Sequence, residues 1–161
     1  MNAPLEGPPE TAPGEPAATK RERVCFLCTR NSARSLIAET FMRRLAGDRF
    51  EVLSAGLRSA EVHPLTRRVL EEKGFDTSQL HSKGVETVMG RLGINYAIVV
   101  CEEAEAACPR IYPFAMQTLY WPFPDPATAP GDEQRQLEAF RDVRDHIEVR
   151  IKSWLSERQT R

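Results

Sequence analysis

The sequence has no apolar run able to cross a membrane: the longest, Ala97-Ile98-Val99-Val100-Cys101, falls far short of the roughly 18 residues a span needs. No secretory leader is expected either, since Met1-Asn2-Ala3-Pro4 leads into prolines and glutamates instead of a basic region followed by an apolar stretch. The expectation is a cytoplasmic protein with no membrane partner. An excess of one charge is missing too. With 22 Lys and Arg against 23 Asp and Glu, nothing global draws in nucleic acid or an acidic lipid surface, so any anion must be recognised locally. Cysteine is scarce, at four residues, and in a reducing cytosol these read better as metal-binding or redox-active than as a disulfide framework.

What is present fits one domain. A chain of 161 residues, 41% hydrophobic, can bury one sizeable core. Residues 1–20 carry Pro4, Pro8, Pro9, Pro13 and Pro16 and no aromatic residue, too little apolar surface to offset the entropy of ordering, and are expected to be a disordered tail; the domain should span 21–161. Arg23 to Leu27 reads as a buried parallel strand, and Leu36, Ile37, Phe41 and Leu45 recur at helical spacing over Ser35 to Leu45, ending at Gly47. Phe50 to Ala55 reads as a strand and Pro64 to Lys73 as a helix with proline in its first turn and Gly74 past its end. Val85 to Leu92 reads as a short helix, Tyr96 to Cys101 as a central strand and Thr118 to Tyr120 as a weaker one. Leu137, Phe140, Ile147, Ile151, Trp154 and Leu155 form one stripe along a long last helix. Alternating strands and helices imply an α/β fold whose ligands gather at the carboxyl ends of a mainly parallel sheet.

Between the first strand and helix lies Cys28-Thr29-Arg30-Asn31-Ser32-Ala33-Arg34-Ser35. A loop wrapped over a helix N-terminus aims successive N–H groups at one point, where the helix dipole adds positive potential, and so binds a tetrahedral oxyanion. Arg34 can close over that anion with a bidentate fork, and the same field favours the nucleophilic Cys28 thiolate at neutral pH. The plain alternative is a buried strand-end cysteine beside a surface arginine. A thiolate attacking such an anion needs an acid for the leaving oxygen; the candidate is Asp125, in the proline-stiffened Trp121-Pro122-Phe123-Pro124-Asp125-Pro126, though an ordinary proline turn would look the same.

Cys101 and Cys108 bracket a helix-forming stretch, Glu102 to Ala107, and can form a disulfide if that stretch loosens; two structural cysteines are the alternative. Cys25 reads as structural. Zinc is not expected: Cys25-x-x-Cys28 lies in an apolar strand without a turn glycine, and the other pair is too widely spaced. His63 at a helix start, His81 in a loop and His146 on a polar helix face read as solvated or capping, and the Arg43-Arg44 and Arg67-Arg68 pairs as exposed helix faces.

These residues resemble the thioredoxin-coupled arsenate reductases, which share the fold of the low-molecular-weight protein tyrosine phosphatases. The match runs from about Arg23 to the C-terminus and rests on the Cys28 to Ser35 loop, Ser54-Ala55-Gly56, His63-Pro64, Cys101 and Cys108 around Asn95 to Val100, Phe123 to Ala127, and Phe140 to Asp145. The resemblance implies a single-domain three-layer fold around a four-stranded parallel sheet. It further implies that Cys28 attacks arsenate, Asp125 protonates the departing oxygen, Cys101 attacks Cys28 to release arsenite, and Cys108 closes a Cys101–Cys108 disulfide that thioredoxin reduces. Thr29, Arg30, Asn31, Ser32, Ala33, Arg34 and Ser35 would surround the oxyanion, with Asn31 shaping the loop and Ser35 supporting the thiolate. No bound cofactor is implied; phosphate or sulfate would compete with arsenate, and the protein would be a monomer.

Three positions depart from the family pattern. Arg30 replaces a usual glycine, where it either crowds the anion or adds charge; Ala33 replaces a second loop cysteine and removes a side disulfide; Lys83 stands where an aspartate helps some relatives bind potassium near Asn31, Glu39 and Ser54, which predicts no potassium dependence. Two other functions compete: a tyrosine phosphatase hydrolysing a phosphocysteine on the same loop, against which Ala127 stands in place of an aromatic residue, and a non-catalytic oxyanion-binding or thiol-sensing module.

Overall fold

A computed structural model describes residues 20–88, 93–101 and 115–159. Val24 to Cys28 are all buried, so the first strand, β1 (Glu22–Cys28), has no wet face and needs neighbours on both edges. It finds them in β2 (Phe50–Gly56) and β3 (Tyr96–Val99), with Cys25 opposite Leu53 on one side and Ala97 on the other. β4 (Gln117–Tyr120) adds an edge through Ile98 opposite Leu119, giving a four-stranded, all-parallel sheet in the order β2-β1-β3-β4. The α/β expectation holds.

Parallel strands need crossovers, and the described helices are α1 (Arg34–Ala46), α2 (Pro64–Glu71) and α3 (Glu133–Gln159). The stripe expected on the last helix is the buried one, and its core includes Phe140, Ile147 and Ile151 at full burial, in one core cluster with Phe26, Leu70 and Ile98. Each such side chain contributes about 1.5–3 kcal/mol on leaving water. Arg144 lies in the same stripe, which the apolar pattern did not reveal. It is 7% exposed, donates to Val69 O at 3.0 Å and pairs with Glu72 at 2.9 Å, fastening α3 to α2.

Some boundaries shift. α2 stops at Glu71 rather than Lys73, because the chain has to reach the left-handed turn at Gly74, φ 81°. Val85–Thr87 forms one 3₁₀ turn instead of a helix from Val85 to Leu92, and 89–92 lie outside the described residues. β3 ends at Val99, although the Val100 N–H still reaches Leu27 O at 2.9 Å. Most of the 1–20 tail and the Glu102 to Cys108 stretch also fall outside the described residues. No described helix is long and apolar enough to cross a membrane.

Candidate functional site

β1 delivers Cys28 to the carboxyl edge of the sheet and α1 begins six residues later at Arg34. The turn between them requires one left-handed residue, which is Asn31 at φ 52°. Asparagine tolerates that region better than most side chains, and here its own amide locks it. Asn31 Nδ2 donates to Ser35 Oγ at 2.7 Å and Ser54 Oγ at 3.0 Å, Oδ1 accepts from the Lys83 N–H at 2.8 Å, and the Asn31 N–H points at Cys28 Sγ at 3.1 Å. Ser35 Oγ is 2.7 Å from the same sulfur. Two polar groups thus converge on Cys28 from the helix start and the loop. The loop carbonyls are bonded from outside: Cys28 O by Leu57 N, Thr29 O by Arg58 N, Arg30 O by Ser82 Oγ, and Ser32 O by His63 N and Thr66 Oγ1. Such outward carbonyls leave the N–H groups for the concave side. Gly56 lets the loop pass, since a Cβ there would sit 2.6 Å from Arg30 C and 2.7 Å from Asn31 N.

Above the sulfur is a cavity of about 160 Å³ lined by Cys28, Thr29, Arg30, Ser32, Ala33, Arg34, Asp125 and Thr128. Arg34, 7% exposed, donates to Phe123 O at 2.9 Å and lies 3.8 Å from Asp125 Oδ2. Asp125 is itself positioned by the Ala127 N–H at 3.0 Å, as the N-cap of a 3₁₀ turn, Pro126–Thr128. Thr29, Arg30, Ser32, Ala33, Arg34 and Asp125 thus line one cavity with Cys28, whereas Asn31 and Ser35, expected around the oxyanion, stand outside its lining as the frame of the loop. Thr128 also lines it; nothing in its local sequence marked it. Cys101, 1% exposed, lies beside the loop with Sγ 3.5 Å from Thr29 Oγ1, while Cys108 is outside the described residues. Cys25 and Cys28, an odd number of residues apart in one strand, face opposite sides. Among the described residues no group of three His, Cys, Asp or Glu can hold a metal.

Around this centre, Glu39 is buried at 2% exposure and accepts the Ser54 hydroxyl, with Arg43 at 2.7 Å and Lys83 Nζ at 3.4 Å balancing its charge. The paired arginines are not merely exposed faces. Arg43 also donates to Val52 O at 2.9 Å, Arg44 spans Lys73 O and Gly74 O while covering Phe75, and Arg67 holds Thr77 O and Leu80 O. His63 caps α2 through Nδ1, which accepts the Leu65 N–H at 3.1 Å, and its ring lies 4.6 Å from that of Phe140. Burial pushes its pKa below the ordinary histidine value, with the Asp125 carboxylate partly opposing.

Comparison with known proteins agrees with this geometry. The family model described as low molecular weight phosphotyrosine protein phosphatase matches residues 23–161. An arsenate reductase of Halalkalibacterium halodurans is 34% identical over 131 residues, 81% of this chain and 93% of that protein. A solved arsenate reductase in the phosphate-binding state superposes with a TM-score of 0.71 at 29% identity, over 84% of this chain and 98% of the other. A thioredoxin-dependent arsenate reductase of Corynebacterium glutamicum gives a TM-score of 0.64 at 27% identity, over 90% of this chain and 66% of that one. With a family match across nearly all of the domain and a full-length relative above 30% identity, this chain belongs to the low molecular weight phosphotyrosine protein phosphatase family, and within it to the arsenate reductases.

Proposed function

We propose that this protein reduces arsenate to arsenite through a relay of Cys28, Cys101 and Cys108. The oxyanion enters the loop, and the Arg34 fork and loop N–H groups take its charge. The Cys28 thiolate bonds to arsenic while Asp125 gives a proton to the departing oxygen, which leaves as water. The Cys101 thiolate then attacks Cys28 Sγ; a disulfide forms, the sulfur–arsenic bond breaks, and its electron pair stays on arsenic, which departs as arsenite. Cys108 attacks Cys101 Sγ and releases Cys28 as thiolate. Thioredoxin, the external reductant, reopens the Cys101–Cys108 disulfide, and no cofactor is bound.

The observation that carries this reading is the second buried thiol at the lip of the loop: Cys101 Sγ beside Thr29 Oγ1, which a phosphatase would not need. A cavity lined by no aromatic side chain among the described residues adds support, because it suits a bare tetrahedral ion better than an aryl ester. The naming of the Corynebacterium glutamicum relative as thioredoxin-dependent supports the choice of reductant. A cytoplasmic monomer fits thiols that must be kept reduced between turnovers. Phosphate and sulfate compete for the loop, and slow hydrolysis of phosphate monoesters accompanies the main reaction.

The test follows arsenate-dependent NADPH oxidation with thioredoxin and thioredoxin reductase. The natural protein turns over, Cys28→Ser is inactive, Cys101→Ser stops at the Cys28 adduct without releasing arsenite, Cys108→Ser stalls after one equivalent of arsenite, and Asp125→Asn loses about 10²–10⁴-fold in rate. Full activity of the Cys101 and Cys108 variants would break the relay and favour the phosphatase. Thiol oxidation without arsenite release would favour a sensing module.

A further inference from the structure

Arg30 occupies the exposed turn of the oxyanion loop and borders the cavity over Cys28. The left-handed backbone falls one residue later, on Asn31, so position 30 accepts a side chain without strain. Arg58, also exposed, donates its N–H to Thr29 O at 3.1 Å. The two backbones converge on Gly56, where a Cβ would lie 2.6 Å from Arg30 C and 2.7 Å from Arg58 O. Neither guanidinium has an ion pair or side-chain hydrogen bond among the described residues.

That last point separates them from Arg34. The Arg34 charge is shared with Asp125 and Phe123 O, so part of its field is cancelled before any anion arrives. An unpaired cation keeps its field, and at the mouth of a small polar cavity it acts on an anion within about 8 Å, the screening length at physiological ionic strength. A dianion responds twice as strongly as a monoanion, and a neutral reagent does not respond.

We propose that Arg30, assisted by Arg58, is a specificity-determining residue of this site: a cationic rim that selects dianionic tetrahedral oxyanions over less charged species approaching Cys28. The rim acts by charge, not by shape. This rests on the oxyanion reading given above and concerns affinity alone, so it stands or falls separately from the relay.

Alkylation of Cys28 in the full-length protein tests it, with the modified peptide quantified by mass spectrometry. The ratio of iodoacetate to iodoacetamide rates reports the local potential and cancels any change in thiolate fraction. Inorganic phosphate, as a protectant, reports dianion affinity. Arg30→Gln is expected to lower the ratio and to raise the phosphate concentration for half-protection about three- to fivefold, with a weaker dependence on added sodium chloride. Arg58→Gln shifts both in the same direction, and Arg30→Lys stays close to the natural protein. The proposal is overturned if Arg30→Gln leaves ratio, midpoint and salt slope unchanged, or if Arg30→Lys behaves like Arg30→Gln. Failure of phosphate to protect the natural protein would remove the oxyanion reading itself, and the rim with it.

Discussion

Asn31 does three things at once: it takes the left-handed turn, ties α1 to β2 through Ser35 and Ser54, and holds the segment before Val85 through the Lys83 N–H. At zero exposure, losing that amide leaves polar groups without partners, each costing about 1–3 kcal/mol. Asn31→Ala should therefore destabilise the fold by about 3–4 kcal/mol, strain included, while Asn31→Gly should recover about 1 kcal/mol by relieving only the backbone. Denaturant unfolding of both measures the split; equal stabilities would mean that backbone strain is negligible. The Cys28 to Arg34 spacing was legible because chemistry fixes it in a continuous stretch. Arg144 and Thr128 were not, because a buried arginine inside an apolar stripe and a threonine after Asp-Pro acquire meaning only from partners far away in sequence.

At the scale of elements, α2 is held to the loop from its first residues. His63 caps it through Nδ1 and donates its own N–H to Ser32 O, so helix start and oxyanion loop share one anchor. The cap exists only while Nδ1 is unprotonated. Because burial lowers the folded-state pKa below the unfolded value of 6.5, the unfolded chain takes up a proton first as pH falls, and stability declines below about pH 6.5. Asparagine caps a helix without titrating, so His63→Asn should show a smaller drop in melting temperature between pH 7 and 5.5 than the natural protein; parallel curves would contradict it. The helix start itself was visible in His63-Pro64. The strands were visible as apolar runs, and β4 was the weakest because an edge strand with exposed Gln117 and Tyr120 carries less of that signal. What stayed hidden was the network crossing elements. Glu39 of α1 is balanced by Arg43 and by Lys83, whose ammonium also donates to His81 O at 3.1 Å. With that charge compensated, replacing sodium by potassium at fixed ionic strength should leave the rate unchanged; a severalfold rise would show that a cation still has a place there.

Across the whole molecule, the site is where distant parts of the chain meet. The loop comes from the β1–α1 junction, Asp125 and Thr128 from the connection between β4 and α3, and the outer supports from residues 56–66. An anion bridging these groups binds only the folded state, so it must stabilise the entire fold by mass action, about 2.7 kcal/mol at a hundred times its dissociation constant. For a protein of this size that is a rise of about 5–10 °C in melting temperature. Phosphate and sulfate, which do not react with the thiols, should each produce it with the thiols kept reduced and thioredoxin absent. Cys28→Ser should keep the shift, because serine can still sit under the loop and the anion is held by N–H groups and Arg34. Arg34→Met should lose most of it, through the missing guanidinium fork, even if it folds with an unchanged baseline. Equal shifts in natural protein and Arg34→Met would mean that the anion stabilises from somewhere else on the surface, and the site would have to be sought away from Cys28.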